Sequence, residues 1–496
     1  MLLPRLPEEW IAGIKKRVAR LLRLRSSFLP EENQLIVLAI AVGVLTGFGS
    51  VGFIKALYAV TDFARDRVAA GLGFFFGPAD IVLLPALGGL IVGPIIHHFA
   101  REARGHGVPE VMTALATAGG RIRPRVVIVK IAASAMTIGF GGTAGREGPM
   151  IQIGSAIGSA IAQLSRLPTR HIRTLVACGA AGGVAATFNA PIAGAIFSME
   201  VLMGRLAGDF LLVMLTSLTS TFVARAYLGN FPAFVAPAYE LVSPAELPLY
   251  FGLGLIAGLG AFLYVRLLYK SEDWFEAWRF PEWLKPAVGG LMLGVLLRYF
   301  PEVYGPGFPA IEAALWVRLS LGLLVALFFA ELLANVFTLG SGGSGGVFAP
   351  SLYMGAMIGG AYGIGVHALF PETTGGSGAY AMVGMAAFFA AAAKAPTTSI
   401  LILFEMTNDY RIILPLMIAT VASVTLSNRF MTHSIYTLKL HLRGITFPYE
   451  GRRPGPKVEP KPEPEPKPEA EPKPEPEAPP GLPPPAPAEN WPGEGV

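Results

Sequence analysis

A charged pair stands in the middle of a glycine-rich turn. Arg146 and Glu147 lie within Gly141–Met150, which reads G-G-T-A-G-R-E-G-P-M. Glycine lets the backbone bend and expose its N–H groups, and Pro149 favours the start of a helix because its φ is already helical. The pattern predicts Arg146, Glu147 and Gly148 at a helix N-terminus, which carries about half a positive charge and several unpaired donors. Such a terminus binds anions, and the Glu147 carboxylate can itself occupy the site or leave it.

An acidic residue in a first helical turn also has a simpler interpretation. It stabilises the helix dipole by about 0.3–1 kcal/mol without any further role. The recurrence of the motif favours the anion site, because Gly105–Glu110 reads G-H-G-V-P-E and Gly340–Pro350 reads G-S-G-G-S-G-G-V-F-A-P. Each turn precedes an apolar segment with proline at its start. Transporters hold anionic groups between the N-termini of such discontinuous helices.

The elements that must position these turns are membrane helices. The 496 residues are 53% hydrophobic and only 15% charged, with a mean hydropathy of +0.53, whereas soluble domains are nearer ~25% charged. Several apolar runs approach the ~18 residues of a membrane span: Leu35–Val60, Ile81–Ile96, Ala177–Met199, Phe251–Leu268, Leu319–Leu339 and Ala379–Phe404. Glycine and proline interrupt many of them, which a bilayer tolerates only inside protein or beside a water-filled cavity. We therefore expect an all-α polytopic membrane protein with broken helices.

Several other function classes lack support in the sequence. The single cysteine, Cys178, excludes an intramolecular disulfide and a cysteine metal cluster, and we expect it to be a small packing residue. Zinc-protease, serine-hydrolase, P-loop and dinucleotide-binding motifs do not occur. The net charge of +5 lies near the ends of spans, so it indicates topology and no nucleic-acid partner. We expect no metal and no cofactor.

The two ends of the chain differ from the apolar middle. Residues 1–33 are rich in arginine and lysine, which predicts an amphipathic helix on the cytoplasmic face and no cleavable signal. Basic clusters at 101–104, 121–125 and 166–173 also favour the cytoplasm. Residues 447–496 are mostly proline, glutamate, lysine and alanine, which predicts a disordered tail. We expect a multi-pass protein of the cell membrane with both termini in the cytoplasm.

An internal repeat divides the apolar region. Gly179, Pro191 and Glu200 have the same mutual spacing as Gly384, Pro396 and Glu405. This predicts two transmembrane repeats, at 34–228 and 229–446. The spacing alone does not distinguish a parallel pair from an inverted one. Inverted repeats with a site at their interface are a common transporter plan.

G-R-E-G-P at 145–149, G-V-F-A-P at 346–350, G-H-G-V-P at 105–109 and F-N-A-P-I-A-G-A-I-F-S-M-E at 188–200 together resemble the CLC family of chloride channels and proton–chloride antiporters. The resemblance covers roughly residues 35–440 and is to the prokaryotic-type members without CBS domains. It implies two inverted-topology helical repeats around a midplane anion site. It also implies a homodimer with one anion pathway per subunit, in a protein that is not an enzyme.

The resemblance assigns roles to individual residues. Glu147 corresponds to the gating glutamate. Tyr436, in S-I-Y-T, corresponds to the tyrosine whose hydroxyl donates to the central anion, although an interfacial aromatic anchor is the alternative for it. The remaining anion-binding positions that the resemblance implies, most of them through backbone N–H groups, are His106, Gly107, Arg146, Gly148, Val347, Phe348 and Ala349.

Two positions depart from the family pattern. His106 stands where the family usually has serine, so it could bind the anion, make binding pH-dependent, or point away, and the preference for chloride stays open. Val201 stands where antiporters often carry an inner glutamate that relays protons, and valine carries none. The neighbouring Glu200 is expected to be a buried helix-interface carboxylate with a partner.

These residues predict chloride transport, as proton-coupled exchange gated by Glu147. A passive channel or uncoupled carrier is the alternative, which Val201 favours. A membrane-embedded enzyme using Glu147, Glu200 or His106 as acid or base is more remote, because no second catalytic partner stands at a defined spacing. A non-transporting scaffold whose proline-rich tail recruits partners is a further alternative.

Overall fold

The computed structural model describes residues 30–204, 209–230, 234, 236–237, 239 and 241–446. All of them lie in the first of two units into which the chain divides, Met1–Glu450 and Gly451–Val496. The predicted basic helix at 1–33 and the predicted tail at 447–496 lie outside the described residues. The exception is residues 30–33, of which 31–33 already belong to the first membrane helix.

The described residues form α-helices joined by short turns. In chain order the α-helices are α1 Glu31–Phe63, α2 Ala70–Phe76, α3 Asp80–Phe99, α4 Val108–Thr117, α5 Arg125–Gly139, α6 Glu147–Leu164, α7 Thr169–Phe188, α8 Pro191–Phe197, α9 Phe210–Leu228, α10 Leu247–Ala277, α11 Lys285–Leu297, α12 Phe308–Leu315, α13 Leu321–Gly340, α14 Phe348–Leu369, α15 Ser377–Ala393, α16 Pro396–Thr407, α17 Ile413–Phe430 and α18 Thr437–Leu442. Short π-helical turns, Ala64–Ala69 and Ser198–Met203, follow α1 and α8.

Seven helices in this part of the chain are long and apolar enough to cross a membrane. Others are broken, as expected. The apolar run Ala177–Met199 divides at Asn189, and the run Ala379–Phe404 divides at Lys394. Both residues adopt the left-handed conformation and end α7 and α15, one residue before an Ala-Pro pair opens the next helix. The predicted all-α, multi-span class is confirmed.

Close helix pairs follow each glycine-rich turn. The α6–α7 pair meets at Gly154 and Gly179, where a Cβ on Gly154 would lie 2.0 Å from the Gly179 carbonyl oxygen. The α14–α15 pair meets in the same way, since a Cβ on Gly355 would lie 2.5 Å from the Gly384 carbonyl oxygen. Backbones can approach this closely only at glycine, so these residues hold α6 and α14 firmly against the rest of the core.

The loops between α5 and α6 and between α13 and α14 are equivalent. Thr137–Pro149 aligns with Thr338–Pro350 without a gap. The Thr143 N–H donates to the Thr338 hydroxyl (3.1 Å), and the Ser344 N–H donates to the Thr137 hydroxyl (3.2 Å). Equivalent atoms thus form equivalent bonds in both directions, which indicates a local twofold axis between the two loops.

Candidate functional site

Hydrogen bonds between backbones bring the three predicted turns together. Gly145 and Gly346 exchange two N–H···O bonds, of 2.8 and 2.6 Å. The Gly105 N–H donates to the Gly343 carbonyl (2.9 Å), and the Gly345 N–H donates to the Gly105 carbonyl (3.4 Å). The N-termini of α4, α6 and α14 therefore meet around one point, as the three glycine-proline motifs predicted.

In α6 and α14 the prolines lie two residues further into the helix than the sequence predicted, which was the first helical position. α6 begins at Glu147 and α14 at Phe348, so Pro149 and Pro350 are third residues. A proline fits there because the N–H groups of the first turn have no partner within the helix. The shift leaves the amides before each proline unpaired by the helix and available to an anion.

Glu147 is fully buried at this meeting point, and the backbone amides of Glu147 and Ala349 face its carboxylate. One oxygen, Oε1, lies 4.0 Å from Nε of Arg146. The other, Oε2, lies 2.2 Å from the position that a Cβ on Gly145 would take, and the amide nitrogen of Ala349 is 3.0 Å from the same position. The carboxylate thus occupies the space over Gly145, between the N-termini of α6 and α14.

Arg146 lines a cavity of about 490 Å³. Its guanidinium carbon lies 5.1 Å from the centre of the Phe308 ring, and the residue is buried. Arg65 and Arg225 also line the cavity, and no acidic residue does so among the described residues. Field lines focus in such a single-sign cavity and raise the local concentration of anions. We refer to this cavity as the vestibule.

A fourth glycine-proline turn, missed in the sequence, forms one wall of the vestibule. Gly305–Pro309 reads G-P-G-F-P and opens α12. Gly305 and Gly307 have φ of 69° and 71°, close to the 72° and 83° of Gly105 and Gly107 in the first turn. The spacing of two glycines and a proline was visible in the sequence, so a search for the first motif would have found it.

His106 is buried and bound on one side only. Its Nε2 lies 3.3 Å from the Tyr269 hydroxyl, which donates to the Ile435 carbonyl (2.5 Å). Because the phenol proton is already committed to that carbonyl, the network assigns the imidazole proton to Nε2. The other nitrogen, Nδ1, is buried without a partner. A neutral His106 in this state therefore has no second N–H to offer an anion.

The remaining predicted residues lie in the same core. Tyr436 is buried with its ring centroid 6.0 Å from that of His106, and it interacts electrostatically with Glu147. The Phe348 ring packs between Phe188 (4.6 Å) and Phe389 (4.0 Å). Burial of Tyr436 to 1% exposure argues against an interfacial anchor. Gly107, Gly148, Val347 and Ala349 are buried in the turns that meet here.

Glu200 lies at a helix interface with hydrogen-bond partners, as expected, but it is half-buried where a buried carboxylate was predicted. Its carboxylate accepts from the amides of Thr397 (3.2 Å) and Thr398 (2.8 Å) and from the Thr398 hydroxyl (2.6 Å). The equivalent Glu405 accepts from the amides of Ile192 (3.0 Å) and Ala193 (2.7 Å). Each glutamate therefore caps the N-terminus of the helix that holds the other. The neighbouring Val201 is half-buried against the apolar core.

Lys130 and Glu331 are among the buried charged residues that were not singled out from the sequence. Lys130, in α5, donates to the carbonyls of Ala103 (2.9 Å) and Gly105 (2.8 Å) and so supports the first turn. Glu331, in α13, is fully buried with no partner for either oxygen. Each is the one charged residue in the interior of an otherwise apolar helix, which is the signal that could have identified it.

Comparison with known proteins identifies the family. A profile of the voltage gated chloride channel family matches residues 88–428. The chain belongs to this CLC family. Together with the buried Glu147 between helix N-termini, this confirms the resemblance expected from the glycine-proline motifs.

Curated relatives and solved structures from the family cover most of the chain. A ClcB-like protein of Ralstonia nicotianae, provisionally named a chloride channel, is 35% identical over 72% of this chain and 85% of its own length. The H(+)/Cl(-) exchange transporter ClcA of Vibrio parahaemolyticus is 33% identical over 82% of this chain and 89% of its own length. A slow cyanobacterial Cl-/H+ antiporter superposes with a TM-score of 0.75 at 27% identity, over 82% of this chain and 97% of that one.

A CLC-type fluoride/proton antiporter superposes with a TM-score of 0.69 at 23% identity, over 82% of this chain and 98% of that one. At this identity the similarity concerns the fold alone. The same helical architecture therefore occurs in a Cl-/H+ antiporter and in a fluoride/proton antiporter. For this CLC member, the fold does not decide which anion it carries.

Proposed function

We propose that this CLC protein exchanges chloride for protons across a cell membrane, with Glu147 as its gate. The observation that carries the proposal is the Glu147 carboxylate, buried between the N-termini of α6 and α14 and facing the amides of Glu147 and Ala349. An anion in that place is attracted by two helix dipoles and by Arg146, and a neutral carboxyl is not. Protonation therefore releases Glu147, and a chloride ion takes its place.

The anion positions follow from the three turns. Backbone N–H groups of Arg146, Glu147 and Gly148 on one side, and of Val347, Phe348 and Ala349 on the other, would line the path. Gly107, His106 and Tyr436 would face it from the inner side. None of the donors except the Arg146 guanidinium carries a full charge. An anion bound by dipoles can therefore both bind and leave, as conduction requires.

His106 is the position at which anion preference is most open. With Nε2 committed to Tyr269, a neutral His106 offers Nδ1 as an acceptor. An acceptor does not stabilise chloride, so binding would depend on Tyr436 and the backbone donors. Protonation of His106 would add an Nδ1–H donor and strengthen binding. We therefore expect weaker chloride affinity than a serine hydroxyl at this position would give.

The names of the relatives support coupled exchange. The Vibrio protein is called a H(+)/Cl(-) exchange transporter, and the cyanobacterial structure is that of a Cl-/H+ antiporter. We further propose a homodimer with one pathway per subunit. We also propose that the basic clusters between α3 and α7 face the cytoplasm, together with both termini.

The test is paired flux from the purified protein in liposomes. A chloride gradient is imposed at equal pH on both sides, and chloride efflux and proton uptake are recorded together. We expect wild type to move protons uphill against chloride and Glu147→Gln to move chloride without protons, since glutamine cannot titrate. Movement of neither ion in wild type would contradict the proposal. Cys178→Ser changes a residue outside the proposed path and is the control for purification and reconstitution.

A passive chloride channel or uncoupled carrier is the second candidate, and Val201 favours it. Valine cannot relay a proton at the position where antiporters often carry glutamate, and the Ralstonia relative carries a channel name. Chloride efflux from wild-type liposomes without any proton movement would select this candidate.

A further inference from the structure

The vestibule is far larger than a chloride ion. Its volume of about 490 Å³ lies within the range of about 300–1,000 Å³ that is typical of sites for small organic ligands. Its walls come from the C-terminal half of α1, the end of α9 and the turn that opens α12. The exchange of single inorganic ions does not require a cavity of this size. The vestibule therefore has room for a second kind of ligand.

Three arginines supply the charge of the vestibule at two depths. Arg65, in the π-helical turn after α1, and Arg225, in the last turn of α9, are exposed, whereas Arg146 is buried. No acidic side chain lines the vestibule in the part of the chain that the structure describes. A cavity of one charge sign attracts ligands of the other sign. The ligand that fits this lining is therefore an anion.

The guanidinium groups are held in place before any ligand binds. The guanidinium carbon of Arg65 lies 4.5 Å from the centre of the Tyr304 ring, and Nε of Arg225 donates to the side-chain oxygen of Asn189 (2.5 Å). Nε of Arg146 is buried and has no hydrogen-bond partner among the described residues. A guanidinium carries five N–H donors and can bind an oxyanion through two parallel hydrogen bonds. An oxyanion therefore suits this set of donors.

Much of the remaining lining is apolar. Ile54, Leu57 and Ile138 line the vestibule and are buried, and the rings of Tyr304 and Phe308 form another part of its wall. Such walls stabilise a ligand by removing its apolar surface from water, and a flat ring can also stack on a guanidinium plane. A hydrated inorganic ion gains nothing from either contact. The lining therefore favours an anionic group that is attached to a flat apolar body.

We propose that the vestibule binds an organic anion in which a carboxylate or sulfonate group is attached to an aromatic ring. The anionic group pairs with the arginines, and the ring lies against the apolar wall. Arg146 belongs both to the vestibule and to the proposed anion path, so a bound ligand hinders the access of chloride to Glu147. This hindrance rests on the proposed function, whereas the binding itself does not.

The first test is calorimetric titration of β-naphthalenesulfonate into the purified full chain in nanodiscs of zwitterionic lipid, where we expect saturable binding. Two further probes each lack one half of the ligand. β-Naphthalenesulfonamide has the ring without the charge, and methanesulfonate has the charge without the ring. Each should bind at least about tenfold more weakly, since one loses the charged hydrogen bonds and the other the buried apolar surface. Equally tight binding of either probe would overturn the proposal.

Substitutions test whether the ligand binds in the vestibule. Arg65→Gln should weaken the binding of β-naphthalenesulfonate about tenfold, because a charged hydrogen-bond donor is lost, and Arg225→Gln should weaken it as well. The matched control is Arg266→Gln, since the Arg266 guanidinium also lies over an aromatic ring, that of Phe262 at 5.8 Å, but does not line the vestibule. Unchanged affinity in both vestibule variants would overturn the proposal. If one of them does not fold, the other decides.

A lipid headgroup offers the same oxyanion chemistry, and a change of lipid distinguishes the two sources. The titration is repeated in nanodiscs that contain anionic phosphatidylglycerol. For a site that takes free organic anions, the affinity should fall by no more than about threefold, which is the effect of the negative surface potential alone. Complete loss of binding would assign the vestibule to lipid headgroups and overturn the proposal.

Transport measurements test the hindrance. With β-naphthalenesulfonate outside the liposomes, chloride efflux should slow to a plateau, because only molecules whose vestibule faces outwards are blocked. The proton-to-chloride ratio should stay unchanged, since a blocked molecule moves neither ion. Unchanged efflux at saturating ligand would overturn the hindrance. Coupled flux without saturable binding would overturn this inference and leave the proposed function intact, whereas saturable binding to a protein that moves neither ion would do the reverse.

Discussion

Replacement of Gly145 by alanine should displace the gate without changing a titratable residue. A Cβ at Gly145 would lie 2.2 Å from Oε2 of Glu147, whereas ordinary contact begins at about 3.4 Å. The carboxylate must therefore move by about 1.2 Å, the difference of the two distances. The methyl group would also lie 3.0 Å from the Ala349 amide nitrogen. Gly145 does not have a positive φ, so alanine adds no backbone strain.

The magnitude follows from the charges that hold Glu147. Its Oε1 is 4.0 Å from Nε of Arg146. At an effective dielectric of about 20 the attraction is about 4 kcal/mol, and an outward shift of about 1.2 Å reduces it to about 3 kcal/mol. The loss of about 1 kcal/mol weakens Glu147 as a competitor for the anion site by roughly fivefold. Because chloride takes the same place when Glu147 leaves, the methyl group should weaken chloride binding there as well.

Calorimetric titration of chloride into the purified Gly145→Ala protein measures this affinity, and the paired flux assay measures coupling. We expect chloride to bind more weakly and the proton-to-chloride ratio to fall, because the methyl group crowds the place that chloride and the Glu147 carboxylate share. Gly52→Ala is the matched control, because no atom lies within 4 Å of the added Cβ there. Unchanged affinity together with an unchanged ratio would refute the placement of the Glu147 carboxylate over Gly145.

Three further predictions concern single contacts. His106→Ser replaces an imidazole whose Nδ1 has no partner with a hydroxyl group that can donate. Chloride should therefore bind about 2–10-fold more tightly in calorimetry, a gain of about 0.5–1.5 kcal/mol. Weaker binding would contradict the assignment of the imidazole proton to Nε2. Glu200→Ala removes three hydrogen bonds from the start of α16. The free energy of unfolding, measured by thermal unfolding, should fall by about 1–2 kcal/mol, and the proton-to-chloride ratio should stay unchanged. A loss of coupling in folded protein would instead give Glu200 a transport role. Partial burial alone would raise the pKa of Glu102, but the Arg123 guanidinium beside it holds that pKa below its ordinary value. The ion pair should therefore stabilise the folded protein above about pH 4, and this contribution should be lost as the pH falls further. In Arg123→Gln, the melting temperature should depend less on pH in the acid range than it does in wild type. An identical dependence in both proteins would contradict the pairing.

Local chemistry is enough to predict part of the site from the sequence. The turns at 105–109, 145–149 and 346–350 depend on glycine and proline, whose backbone preferences act within a few residues. The breaks at Asn189 and Lys394 were likewise indicated by Gly and Pro in the flanking apolar runs. The first residue of each helix could not be predicted in this way, because the unpaired first turn accepts proline at more than one position.

The sequence by itself thus determined the membrane class, the repeat, and the presence of an anion-binding turn with a carboxylate in it. Only the tertiary structure decided which groups have partners. Lys130 and Glu331 are each the one charge in the interior of an apolar helix. Lys130 donates to two carbonyl oxygens, whereas neither carboxylate oxygen of Glu331 has a hydrogen-bond partner among the described residues. The commitment of His106 to Tyr269 joins residues far apart in the chain. Such contacts depend on how helices pack across the local twofold axis, and spacing along a single chain carries no information about that packing.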